Sequence, residues 1–543
     1  MTTITALPTP PSSSSPANFD TRADALLGAL PTFVTETNAV ATEVNAAAAS
    51  AATSAGTATT QATTATTQAS AAAASAAAAA ASAGATLWVT GTNYTAPAVV
   101  VSPTNYTTYR TTTSGVSSTD PAADTTGRWV SAMLPSPSAL AMPATRPTLV
   151  FAPAGARGLD RRFAFSRTGT STRINAVGGM ELQSAGVPRF DHHPTTLAPL
   201  GILIEPSGTN RVLRSSELDN ASWVKTNTTI TANGATGPYG ATLDLVAATA
   251  TGGNAAQNTT ITSGATVTIS GHGKAGASNF LRVEGGGGPC AWFNLSTGAV
   301  SGSGGSTATA VYSTAGIEPT SVSGVYRWWV TFTTATITTF TCRIYPTATT
   351  GSSSASGNSA YIGEIQVEEG YPTSHIPTAG ATVARGADVC AMTGTELAAI
   401  LATGAGTLYV EWSRPVPTPS TTAVSLSDGT GNNVIWICTD ASNMLYAVTA
   451  AGAVQASATL TSGLGTAGAL YRQAVAWSAN DFQGASNGTV TAVDSSGSVP
   501  TGLNRLDIGN LLGTSSFHTG HIRRVMLWPR RLSAAELAAL TQS

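Results

Sequence analysis

The sequence predicts a mainly β protein with an N-terminal α-helical coiled coil, its tandem jelly-roll β-sandwiches carried on a fibrous stalk. Three observations lead there. Between Thr53 and Gln68 the only alanines are Ala55, Ala58, Ala62 and Ala65, spaced three, four, three within the repeat TATTQAT–TATTQAS. Only 10% of the 543 residues are charged and 55 are Gly. With so much Thr and Val, that is the composition of extended β-structure with hydroxyl-rich surfaces. From Ser216 onward, short strand-like runs recur at even spacing between Gly, Asn and Ser turns.

The same register extends to Val44, Ala48 and Ala51 on one side and to Ala69, Ala72, Ala76, Ala79 and Ala83 on the other. An apolar period of 3.5 residues marks helices supercoiled on a partner. Thr is a mediocre helix former and Ala buries little area, so stability must come from close approach of identical chains. At ~1.5 Å per residue the rod is on the order of 65 Å long. A Ser/Thr/Ala linker is the alternative.

Residues 1–16 read as unstructured. A helix opens near Asn18 or Asp20, with Pro31 expected to interrupt it. Its large apolar residues, Phe19, Leu26, Leu30 and Phe33, sit at one end of an otherwise polar rod, which predicts a docking end. The strings Ala6-Leu-Pro-Thr-Pro-Pro11, Pro16-Ala-Asn-Phe19, Arg22-Ala-Asp-Ala25 and Leu30-Pro-Thr-Phe-Val34 resemble the virion-proximal end of bacteriophage tail-fibre proteins. That resemblance implies a virion anchor over 1–38, a coiled coil over 39–84, a homotrimer, and other virion proteins as N-terminal partners.

Residues 85–133 read as a small aromatic β-module containing Trp88, Tyr94, Tyr109 and Trp129, with turns at Ser118–Pro121 and Asp124–Gly127. The order of these motifs is similar to chitin-binding-type modules, whose exposed aromatics stack on sugars. Trp88 and Tyr109 are the candidates here, although so small a module also needs aromatics as core. Residues 134–215 read as a linker with short strands near Phe163, Arg173, Val187 and Gly201. His192 and His193 beside Asp191 invite a metal reading, against which a plain Asp-His-His-Pro turn is set.

Residues 216–390 form the expected jelly roll. In Val325–Phe332, Tyr326, Trp328, Val330 and Phe332 share one face, leaving Arg327 and Trp329 outward as a sugar platform. Asn220-Ala-Ser-Trp223, Tyr326-Arg327 and Gly363–Gly370 with Ser374-His-Ile-Pro-Thr378 resemble the carbohydrate-binding-type sandwich of phage fibre and tail proteins. Residues 391–543 make a second β block. Its close, Gly520–Trp528 followed by Leu532-Ser-Ala-Ala-Glu-Leu537, is similar to a concanavalin/laminin-G-like lectin sandwich. Ser533 and Glu536 make a capping box.

Asp428–Asn433 is the only loop with oxygens suited to calcium, and it lacks the carboxylates of a strong site. The four cysteines are scattered, so buried free thiols are expected and no zinc site. No signal peptide, membrane-spanning run or basic patch is present, so neither membrane insertion nor nucleic acid is expected. Glu364 and Glu368 lie ~13 Å apart along a strand, too far for a glycosidase pair. No catalytic residue, cofactor or metal is expected. The reading is a phage receptor-binding fibre that attaches the virion to bacterial surface polysaccharide by multivalent, non-catalytic contacts. A depolymerase tailspike and an architectural head fibre are the rivals.

Overall fold

In the computed structural model, residues 3–83, 86–96, 98–104, 108–131, 146–153, 159–240 and 242–542 are described. They divide into two compact units, Met1–Ala139 and Leu140–Ser543.

The first unit opens with one long helix, α1 (Phe19–Ala83), preceded by a 3₁₀ turn. Pro31 lies inside it rather than ending it. Proline removes a single donor from the ladder, and long runs of good helix former on both sides outweigh that one loss. The Thr residues fit by turning inward: the hydroxyls of Thr35, Thr53, Thr59 and Thr66 each donate to the carbonyl four residues back, at 2.9–3.0 Å. Residues 3–15 are irregular but not detached. Thr5 gives its N–H and hydroxyl to the Glu36 carboxylate at 2.6 and 2.8 Å. On the face that carries Glu36, Leu26 and Phe33 are half-buried.

The small module in the same unit has a four-stranded sheet and a two-stranded one. Tyr94, Val100 and Trp129 are its core, and Trp88 and Tyr109 are packed against them. Both expected turns are present: the Asp120 carboxylate accepts from Ala122 N–H, and Asp124 accepts from Trp129 N–H.

The second unit is two sandwiches, one inserted into the other. The outer one pairs an eight-stranded with a seven-stranded sheet around Trp412, Trp477, Ile435, Val475 and Leu527. Residues expected to be a linker supply several of its strands. Pro199–Ile204 pairs with Gly520–Trp528, as does Leu149–Phe151, and Ala164–Ser166 pairs with Val389–Thr393. Their runs are too short to show as β from composition. What fixes them is an edge to pair with that lies more than 200 residues further along the chain. Residues 134–145 and 154–158 of the expected linker lie outside the described residues. The last helix, Ala534–Thr541, starts at the Ser533–Glu536 capping box and lays Leu537 and Leu540 on Tyr409 and Trp528. All four cysteines are free and buried.

The inserted sandwich stacks two six-stranded sheets over Trp223, Trp328, Phe293, Phe332 and Phe340. The chain crosses into it at Gly208–Asn210 and out at Val383–Arg385, and these two strands pair with each other. Beside the crossings lies a fully buried ion cluster. Asp388 meets Arg167 at 3.1 Å and also binds Arg189, while Glu205 meets Arg189 at 2.8 Å and Arg385 at 3.3 Å. The arginines hold the Glu205 carboxyl down at about 2 despite its burial.

Asp388→Ala leaves Arg167 buried without a carboxylate partner and Arg189 with one of its two. We expect a stability loss of about 3–5 kcal/mol, read as a lower denaturation midpoint. A second expectation concerns pH. Burial, together with nearby His272 and Arg327, lowers the pKa of His375 to about 4, while Glu364 opposes this. Burial and Arg414 lower His518 to about 3. The unfolded chain therefore takes up protons near 6.5 that the folded chain refuses, so stability is complete above that pH and falls as pH drops toward 4. Thermal melts from pH 7.5 to 4 should show Tm falling across that window, and His375→Phe should flatten the slope.

Candidate functional site

The inserted sandwich has two outer faces, and they meet different surroundings. One belongs to the sheet containing Val325–Thr334. There Trp329 is buried, not offered to solvent. Gly316 on the neighbouring strand lies so close that a Cβ there would come within 2.1 Å of the Trp329 ring. Arg327 covers the same ring at 5.7 Å and is held by Glu318 at 3.1 Å and by the Thr373 carbonyl at 2.7 Å. The expected Arg327–Trp329 platform is therefore closed. Alternation identifies the outward face correctly, but that face packs toward the outer sandwich. Tyr326, expected in the core, is half-buried against Gly298.

The other outer face is open. Along Val224–Thr226, Asn254–Thr260 and Thr339–Thr347 runs a groove of about 950 Å³, whose walls include Thr226, Asn258, Thr260, Thr341, Arg211 and Arg343. Asn258 and Thr260 face outward because Ala255 takes the core side in a strand of period two. The Thr341 hydroxyl donates to Asn258 Oδ1 at 2.8 Å, fixing that amide. Arg211 is anchored by Glu369 at 2.8 Å.

Next along the sheet the face changes character. Cross-strand neighbours Tyr345, Arg282 and Trp292 form a row. The Arg282 guanidinium lies 4.8 Å from the Tyr345 ring and 5.5 Å from the Trp292 ring. Glu284 ties the row to the groove, accepting from Arg282 at 2.6 Å and from Arg343 at 2.7 Å. Tyr345 is only 9% exposed and Trp292 is half-buried, so this row is largely closed, while the adjoining groove of hydroxyls, amides and arginines can hydrogen-bond polar groups. This face is absent from the expected site residues. Its signal lies in Phe280-Leu-Arg-Val-Glu284, where Leu281 and Val283 point inward and Arg282 and Glu284 outward.

The other expected residues fall as follows. Trp88 is half-buried, its indole N–H donating to Ser117 at 3.1 Å, and with Tyr109 it serves the small module's core, so neither stands free as a stacking platform. Phe19 and Leu30 are exposed on α1, and Leu26 and Phe33 are half-buried. Ala55, Ala58 and Ala62 are exposed, and the Ala65 side chain lies outside those described. Stepping three and four residues back from that row gives exposed Val44, Val34, Leu30 and Leu27. His192 and His193 close a strand and its turn, His193 Nδ1 accepting from Thr195 and Thr196 N–H at 3.2 and 3.1 Å. The Asp428 carboxylate is spent on Thr430 and Asn433 of its own loop. Among the described residues no group of three or more His, Cys, Asp or Glu is placed to hold a metal, and no helix is long and apolar enough to cross a membrane. Glu364 and Glu368 are both buried.

No protein-family model and no curated protein matches this chain. Solved structures with local similarity include CBM40 of the Ruminococcus gnavus IT-sialidase bound to α2,3-sialyllactose, at 17% identity, 26% of this chain, 83% of that chain and a TM-score of 0.22. Domain 4 of AbnA, a GH43 extracellular arabinanase from Geobacillus stearothermophilus in complex with arabinotriose, is 11% identical over 32% of this chain and 83% of that one, with a TM-score of 0.24. The NanB sialidase of Streptococcus pneumoniae is 17% identical over 25% of this chain and 23% of that one, with a TM-score of 0.21. The chain is mainly β by its own strands, and the structures it weakly resembles include carbohydrate-binding modules.

Proposed function

We propose that this chain is a non-catalytic, glycan-binding receptor protein of a bacteriophage fibre. The observation that supports it best is the open groove walled by Thr226, Asn258, Thr260, Thr341, Arg211 and Arg343. Sugars present hydroxyls at their edges, and this groove offers hydrogen-bond partners for them. The resemblance of the N-terminal strings to tail-fibre proteins supports the virion setting, with the N-terminus docked to other virion proteins.

The helix supports assembly. Leu27, Leu30, Val34 and Val44 continue the row of Ala55, Ala58 and Ala62 along one exposed stripe of α1, the pattern of a coiled-coil seam. Three chains joined there carry three grooves, and the effective concentration within one fibre converts weak single contacts into firm attachment.

Groove occupancy is tested with Asn258→Trp and Arg343→Ala, each at a site where the side chain faces solvent. Adsorption to isolated host polysaccharide should weaken at least tenfold, about 1.4 kcal/mol, with the unfolding midpoint unchanged. Unchanged adsorption overturns the groove reading, and release of reducing ends from the polysaccharide overturns the non-catalytic one. For assembly, light scattering should give a trimer for the wild type and a monomer for Ala58→Asp/Ala62→Asp. A monomeric wild type refutes the seam.

A further inference from the structure

Where the two sandwiches of the second unit meet, they enclose a cavity of about 290 Å³. Its size sits at the small end of the range for ligand sites, about 300–1,000 Å³. Five of the chain's six histidines line it: His192, His193, His272, His375 and His521. They arrive from distant parts of the sequence, His272 and His375 from the inserted sandwich and the others from the outer one. The rest of the wall is largely apolar, with Pro194, Pro238, Pro319, Pro372 and Pro415 presenting ring C–H surfaces.

The polar groups divide into two kinds. The charged ones are already matched. Arg173 pairs with Glu181 at 2.7 Å, Arg327 with Glu318 at 3.1 Å and Asp191 with His521 at 2.8 Å, while Glu205 belongs to the buried ion cluster. Arg414 gives its guanidinium to the Thr418 and Leu464 carbonyls. The imidazoles are not all matched. His375 is 4% exposed, and neither of its ring nitrogens has a hydrogen-bond partner among the described residues; the same is true of His192 Nδ1. His193 accepts at Nδ1, which leaves its Nε2–H as a donor. A buried polar group without a partner is destabilising, so these imidazoles favour a ligand that completes them. A charged ligand would have to break one of the existing pairs. A neutral polyol would not: it needs hydroxyls for the imidazoles and C–H faces for the prolines.

We propose that this cavity is a second binding site, taking one neutral sugar residue between the sandwiches. It lies on a different surface from the groove and does not depend on the groove's reading. The probes are the methyl α-pyranosides of galactose, glucose and mannose, with sodium glucuronate as the acidic comparison. Binding to the full chain is measured by calorimetry and saturation-transfer NMR. At least one neutral glycoside should bind. His375→Phe keeps the ring shape and its edge contact with Tyr239, 6.1 Å away, and it should weaken that binding at least tenfold. His193→Phe should weaken it as well, and Asn258→Trp in the groove should leave it intact. Four results overturn the proposal: no binding of any neutral glycoside, equal affinity in both histidine variants, loss of binding in Asn258→Trp alone, or a preference for glucuronate. Polysaccharide adsorption through the groove is scored separately, so either site can fail without the other.

Discussion

The buried cluster of Arg167, Arg189 and Arg385 with Glu205 and Asp388 is the constraint on which the second unit depends. Taking five charges out of water is costly, and the Coulomb attraction repays it only with tight geometry and additional hydrogen bonds. Several further groups are used here: Arg167 also reaches the Val187 and Ser184 carbonyls, and Glu205 also accepts from Ser374 N–H and hydroxyl at 2.7 Å, whereas the Nε–H groups of Arg167, Arg189 and Arg385 have no hydrogen-bond partner among the described residues. The position explains the expense. Glu205 stands just before the chain crosses into the inserted sandwich and Asp388 just after it returns. One set of charges therefore fixes both crossings and the angle at which the sandwiches meet. An apolar cluster would bury as well but would set that angle less sharply.

From that fixed angle follows the difference between the two outer faces of the inserted sandwich. On one face the Trp329 ring is covered by Gly316 and Arg327, and Arg327 lines the cavity shared with the outer sandwich; the opposite face, with Asn258 and Arg343, carries the open groove. The same strand chemistry, alternating apolar with polar or aromatic, thus yields a closed seam on one side and an open groove on the other. Tertiary placement decides which.

Much of the architecture was legible in the sequence, and the failures share one cause. The long helix, a β-sandwich in the middle of the chain, the closing strand with its capped helix, and the free thiols all rest on local signals: period, turn residues, capping spacing, cysteine count. What local signals lack is partner identity. Nothing near Leu149 or Ile202 announces that the edge they pair with lies in Gly520–Trp528. The reading of Val325–Phe332 stopped at the strand and assumed solvent beyond it. Arg282 and Tyr345 were overlooked because their stack exists only once three strands distant in sequence are laid side by side.

The inserted arrangement has a mechanical corollary. Any drag on a ligand held in the groove must pass to the outer sandwich through two covalent strands lying side by side, Gly208–Asn210 and Val383–Arg385, and not through a single tether. Because these strands are hydrogen-bonded to each other and their flanks are locked by the ion cluster, tension is shared between them, and detachment in shear would have to rupture both crossings together.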